Sequence, residues 1–176
     1  MNDGLSELLM TTRQLWQASN QYAHDLRPTH HIRLTLLERR SIVSDKDGAK
    51  RWVNLLEGDN FECAHRRFVY NLSKKLTPRS VWKRFHPVLK SVGALHGAVG
   101  KTSLHVHLNI YIPEWVDEAA LANAVTLTAE REPWVANGAV NVNISRLKSA
   151  REAVYYTIAK GNKHIVQSWR SDVTSR

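Results

Sequence analysis

Ser103-Leu104-His105-Val106-His107-Leu108-Asn109-Ile110-Tyr111-Ile112 divides by parity into two chemical characters. Leu104, Val106, Leu108, Ile110 and Ile112 take one side of an extended chain, and Ser103, His105, His107, Asn109 and Tyr111 take the other. Successive side chains of a strand point to opposite faces, so the stretch reads as a strand with one face for a core and one for chemistry. Histidines two apart on a strand are separated by two rises of roughly 3.3 Å, so their imidazoles can converge on one metal ion. Two imidazoles are half a site. A His pair on a solvated strand face needs no function at all, and the rest of the chain has to decide.

The chain has 176 residues, which suits one domain with a real core. A hydrophobic fraction of 43% and six Trp argue for a folded globule. A lone cysteine, Cys63, excludes an internal disulfide and fits a reducing, cytoplasmic setting. No apolar run approaches the roughly 20 residues that span a bilayer, and Met1-Asn2-Asp3-Gly4 lacks the basic and then apolar order of a signal peptide. The expectation is a protein without a membrane segment. A net charge of +9 and a pI near 9.9 favour a polyanionic partner, nucleic acid ahead of a membrane surface.

Outward from the His strand, the pattern predicts an N-terminal helix from Leu5 to about His24, within a segment 1–27 that precedes the main domain at 28–165. His31 to Leu37 alternates as a strand with Ile32, Leu34 and Leu36 inward, and Ser44 to Gly48 reads as a polar turn. From Ala49 to Leu76 the spacing is helical, broken in two by Gly58-Asp59-Asn60 and stopped by Thr77-Pro78. Val88 to His96 reads as a strand interrupted by Gly93 and Ala94. Glu114 to Thr128 predicts a helix whose first turns carry Glu114, Asp117 and Glu118, suited to the positive end of its dipole. Asn137-Gly138 signals a turn, and Ala139 to Ser145 alternates with Asn141 and Asn143 opposite the apolar positions. Leu147 to Lys160 predicts a last helix ended by Gly161, followed by a basic tail that should fray, 166–176 lying outside the domain.

Two motifs invite chemistry. Gly100-Lys101-Thr102 suggests a phosphate loop, but such a loop needs a glycine five residues before Gly100, where Leu95 stands, and a helix after it. A strand follows, so Lys101 reads as a lysine on a hairpin turn. In the last helix Tyr156 and Lys160 are four apart and share a face, with Tyr155 turned about 100° away. An ammonium beside a phenol favours the phenolate and makes a nucleophile, although a tyrosine at a helix surface can equally just cap a core.

The order of these pieces resembles the HUH endonuclease superfamily, and among its branches the rolling-circle replication initiators. His105-Val106-His107 matches the family's second motif, Tyr156 to Lys160 looks like its third, and His31 to Leu37 is similar to its loosely defined first. The resemblance covers roughly Thr29 to His164. It implies an α+β fold: a central antiparallel sheet of four or five strands with flanking helices, RNA-recognition-motif-like, its His face open to DNA. It implies metal-dependent, sequence-specific nicking and joining of single-stranded DNA through a covalent 5′-phosphotyrosine. Tyr156 would be the nucleophile, with Tyr155 as the alternative, and Lys160 would assist. His105 and His107 would bind a divalent metal, Mn²⁺ or Mg²⁺. The family's third ligand is commonly acidic; here His96, nine residues before His105, takes the comparable place, and an all-imidazole set favours Mn²⁺ over Mg²⁺.

Lys101, Arg33, Asn109, Tyr111, Asn141 and Asn143 are then expected to contact DNA. The implied substrate is single-stranded or hairpin DNA at the replication origin of a plasmid, phage or small virus, with helicase and polymerase supplied by other chains. The setting would be the cytoplasm of a bacterium, or a host cell for a virus. The same chemistry would also serve conjugation or transposition. The rival from another class is a non-catalytic RNA-recognition-motif-like domain that contacts bases through Tyr111, His105 and Asn109. A metal-independent histidine phosphoesterase would need a second His copy with hydroxyl partners, which the sequence does not supply.

Overall fold

The computed structural model describes residues 21, 26–43, 48–57, 59–97, 103–136, 141–154 and 165–170. Most of the expected N-terminal helix and the Asn137-Gly138 turn lie outside these. The elements are β1 (His30–Thr35), β2 (Arg39–Val43), β3 (Lys50–Asn54), α1 (Asn60–Leu76), α2 (Arg79–Phe85), β4 (Ser91–His96), β5 (His105–Ile110), α3 (Glu118–Ala129), β6 (Val142–Arg146), α4 (Ala150–Val154) and β7 (Ile165–Arg170).

Five strands form one antiparallel sheet in the order β6-β1-β5-β4-β7, and β2 and β3 pair separately as a two-stranded ribbon. Without the ribbon the chain runs β1-α1-β4-β5-α3-β6, the split β-α-β arrangement, with β7 added beyond β4. The protein is therefore α+β and compatible with the RNA-recognition-motif-like sheet expected from the sequence. The His strand lies at the centre, between β1 and β4.

The aliphatic face forms the core. Ile32 and Leu34 of β1, Leu95 of β4, and Val106, Leu108 and Ile110 of β5 are buried against Phe61, Phe68, Val69 and Leu72 of α1 and Leu121 and Val125 of α3. Each such side chain contributes roughly 1.5–3 kcal/mol when removed from water. Helix α1 stops because Pro78 disfavours helical geometry at the residue before it, and Thr77 is accordingly extended. Helix α3 starts at an Asp117 cap, whose side chain accepts from the Ala120 N–H at 2.7 Å. Arg67 of α1 holds the buried Glu132 carboxylate through two N–H donors and ties α1 to the segment after α3.

Gly93, which blurs the alternation of β4 in the sequence, has a steric role. A Cβ there would stand 2.3 Å from Nδ1 and 2.4 Å from Cε1 of His65, the α1 side chain that packs against β4 and lies 3.0 Å from Ser91 Oγ through Nε2. The missing side chain is the notch that admits the His65 ring.

Three expectations are corrected. Residues 50–54 are a strand and not the first half of a helix: Trp52, Leu55 and Leu56 imitate helical spacing, but Lys50 to Asn54 pair with Arg39 to Val43 and Trp52 points to solvent. Tertiary pairing overrides the local pattern. The last helix begins at Ala150 and not Leu147, because Ser149 Oγ accepts from the Glu152 N–H at 3.2 Å while the Glu152 carboxylate accepts from the Lys148 N–H at 2.6 Å. Its extent beyond Val154 lies outside the described residues. Ile165 to Arg170, expected at the start of a fraying tail, forms the edge strand β7 against β4.

Candidate functional site

Register decides which side chains meet, because residues directly opposite in an antiparallel ladder share a face. His105 stands opposite Thr35 on one side and His96 on the other, His107 opposite Arg33 and Ala94, and Asn109 opposite His31 and Val92. His96, whose direction the sequence leaves open, therefore shares the face of His105 and His107. His31 joins the same face. Ring centres lie 4.6 Å apart for His96 and His107, 4.9 Å for His105 and His107, 5.8 Å for His96 and His105, and 5.0 Å for the stacked pair His31 and His107.

These four rings and Asn109 are each only 2–6% exposed, whereas the sequence led to an expectation of a face open to DNA. Helix α4 lies against this face at one point. Asn109 Nδ2 donates to the carbonyl of Ala153 at 2.8 Å, so α4 is drawn across the polar face. Asn109, expected as a DNA contact, is a buried clamp instead.

The hydrogen bonds set the imidazole tautomers. The Ala153 carbonyl can only accept, which fixes the Asn109 amide with Oδ1 toward His31 Nδ1 at 2.9 Å. His31 Nδ1 must then donate, and with both rings neutral His31 Nε2 accepts from His107 Nδ1 at 3.1 Å. That leaves Nε2 as the lone-pair nitrogen of His107. At His105 the same result follows in one step, since Nδ1 donates to the Ser103 carbonyl at 2.8 Å. Two histidines of the motif thus carry their protons on Nδ1 and their lone pairs on Nε2, the arrangement that orients a metal-binding imidazole.

Electrostatics favour the neutral rings. Burial pushes the His107 pKa down to about 2, helped by the charges that His31, His96, His105 and Arg33 would present. Burial also lowers that of His105, with the Arg33 guanidinium acting in the same direction and the Ser103 hydrogen bond opposing. No protein-family model, curated protein or solved structure matches this chain.

The cluster's chemistry suits a metal. Imidazoles bound to one ion at about 2.0–2.1 Å per nitrogen hold their ring centres roughly 5 Å apart, close to the spacings among His96, His105 and His107. Among the described residues no three His, Cys, Asp or Glu side chains are preassembled to hold an ion, so the rings would have to turn toward a common point. His31 is the residue that sequence reasoning missed as a member of this cluster; its Nε2 is engaged by His107, which makes it a support for the cluster.

The remaining expected contacts fall in different places. Arg33 is exposed beside His107, and Asn143 is exposed opposite Arg33 on β6. Tyr111 is partly exposed just past the end of β5. Asn141 precedes β6, where its Nδ2 donates to the Ala136 carbonyl at 3.3 Å and braces the chain. Lys101, Tyr155, Tyr156 and Lys160 lie outside the described residues. No helix among the described residues is long and apolar enough to cross a membrane.

Proposed function

We propose that the protein is a metal-dependent endonuclease that nicks and rejoins single-stranded DNA through a tyrosine, in the manner of the rolling-circle initiators it resembles. The observation that carries this reading is the convergence of His96, His105 and His107 on one face, with the lone pairs of His105 and His107 set on Nε2. A divalent ion held by these three imidazoles would polarise the scissile phosphate and offset the charge that develops on it.

The chain's own groups supply the rest. Arg33, an exposed cation beside His107, would pair with the phosphate and hold it at the mouth of the cluster. Tyr156 follows Ala153 by three residues in the sequence, and Asn109 holds the Ala153 carbonyl two strand positions from His107. The Tyr156 phenol oxygen would attack phosphorus and form an O–P bond while the bond to the 3′ oxygen breaks. The phenol proton leaves, and the departing 3′ oxygen takes one up as a free hydroxyl. Lys160 would stabilise the phenolate, with Tyr155 as the alternative nucleophile. The phosphotyrosine conserves the energy of the phosphodiester, so rejoining needs no nucleotide. An origin-bearing DNA with a separate helicase and polymerase is the partner set this reading entails.

The test uses labelled single-stranded DNA with Mn²⁺, followed by denaturing electrophoresis. A protein–DNA adduct lost in both Tyr156→Phe and His107→Ala supports the reading. Tight binding from a pool that contains the bound sequence, with no adduct with or without metal, overturns it and leaves a binding domain.

A further inference from the structure

The β2–β3 ribbon stands outside the main sheet and has two unlike faces. Its ladder sets Arg40 opposite Val53 and Ile42 opposite Arg51 on one face, and Arg39 opposite Asn54, Ser41 opposite Trp52 and Val43 opposite Lys50 on the other. The first face is anchored. The Arg40 guanidinium lies 4.8 Å from the Trp134 ring centre, Val53 packs against the core, and the Leu55 N–H donates to the Glu38 carbonyl at 2.9 Å at the ribbon's base. The second face is left in water: Trp52 is 73% and Val43 62% exposed, and Arg39 and Lys50 are exposed beside them.

An indole held in solvent on an anchored strand forgoes roughly 3 kcal/mol of burial, which points to a partner for it. The charge around it identifies the partner's class. The two strands carry four Arg and Lys and no Asp or Glu. The Arg39 contact to Glu38, at 3.8 Å and well exposed, is a weak one that a stronger anion would displace. Along the ribbon Trp52 sits between Lys50 on one side and the Arg39–Asn54 pair on the other, each about 7 Å away.

We propose that this face binds single-stranded nucleic acid, with a base stacked on the Trp52 indole and the flanking phosphates held by Lys50 and Arg39. A base offers a π-face to any aromatic ring once it is unpaired, whereas bases inside a duplex have theirs covered. The site lies on a different element from the histidine cluster and stands whether or not that cluster is catalytic.

Fluorescence anisotropy with labelled oligothymidylate at fixed salt tests it. Trp52→Ala is expected to weaken binding roughly 5- to 100-fold with the thermal midpoint unchanged, and Trp52→Phe to restore most of the loss. Lys50→Gln and Arg39→Gln each weaken binding less and flatten its salt dependence. Binding of a blunt duplex does not respond to Trp52→Ala. Unchanged oligothymidylate affinity in Trp52→Ala, or equal losses for single strand and duplex, would overturn the proposal. So would the absence of oligonucleotide binding, which would make a protein the occupant. Trp52-dependent binding supports this site even where a pool that contains the bound sequence gives no covalent adduct with Mn²⁺, an outcome that sinks only the nickase.

Discussion

The central sheet buries histidine on both of its faces, and the two sites are built on opposite principles. On the aliphatic face His65 packs among Phe61, the Gly93 notch and Ser91, and burial holds its pKa down to about 3. On the polar face His31, His96, His105 and His107 are buried together, and donors and acceptors around His31, His105 and His107 dictate which nitrogen of each carries the proton. Burial alone keeps an imidazole neutral; only the second environment also aims its lone pair. The difference separates a packing histidine from a ligand, and it can be broken from either side.

The largest effect is expected at the notch. Gly93→Ala puts a methyl inside the His65 ring, which the Ser91 contact and the core hold in place, and should cost about 3 kcal/mol in urea denaturation. The double variant Gly93→Ala with His65→Ala should recover part of that loss, a coupling between the two sites that independent defects would not show.

Acid comes next. The folded-state pKa of His65 lies below its ordinary 6.5, so its contribution is complete above that value and is lost as pH falls toward 3, where only the unfolded chain takes up the proton. Between pH 7.5 and pH 4.5 this amounts to roughly 2–3 kcal/mol. His65→Leu should shrink the stability difference between those two pH values by that amount, measured by denaturation at each.

The smallest effect sharpens the other side. Asn109→Leu removes the amide that joins His31 to Ala153 and should cost about 1–2 kcal/mol. Metal affinity, measured by calorimetry with Mn²⁺, should fall at the same time although Asn109 is not a ligand. An equal stability loss with unchanged affinity would make Asn109 a fold residue only.

Much of this was legible in the chain. Parity in 103–112 marks the central strand and both of its faces, and the same alternation marks β1 and β6. His96 could be nominated but not oriented, because Gly93 and Ala94 erase the alternation there; the register opposite His105 orients it. His31 was hidden because its neighbour in the cluster, His107, is 76 residues away, and the adjacent pair His30-His31 puts its two rings on opposite faces of the strand and so carries no ligand spacing. The ribbon was hidden for the opposite reason: Trp52, Leu55 and Leu56 offer a clear local period that strand pairing overrules. Burial of the polar face was unreadable, since it depends on how α4 crosses the sheet and not on any residue in the sheet.

The most direct measurement of the cluster is long-range ¹H–¹⁵N NMR of the imidazoles at neutral pH, before and after one equivalent of Zn²⁺ as a diamagnetic probe. The account predicts protons on Nδ1 of His105 and His107 without metal, and saturable shifts at Nε2 of His105 and His107 and at the His96 ring when it is added. Protons on Nε2 of His105 and His107, with spectra that Zn²⁺ leaves unchanged, would contradict it.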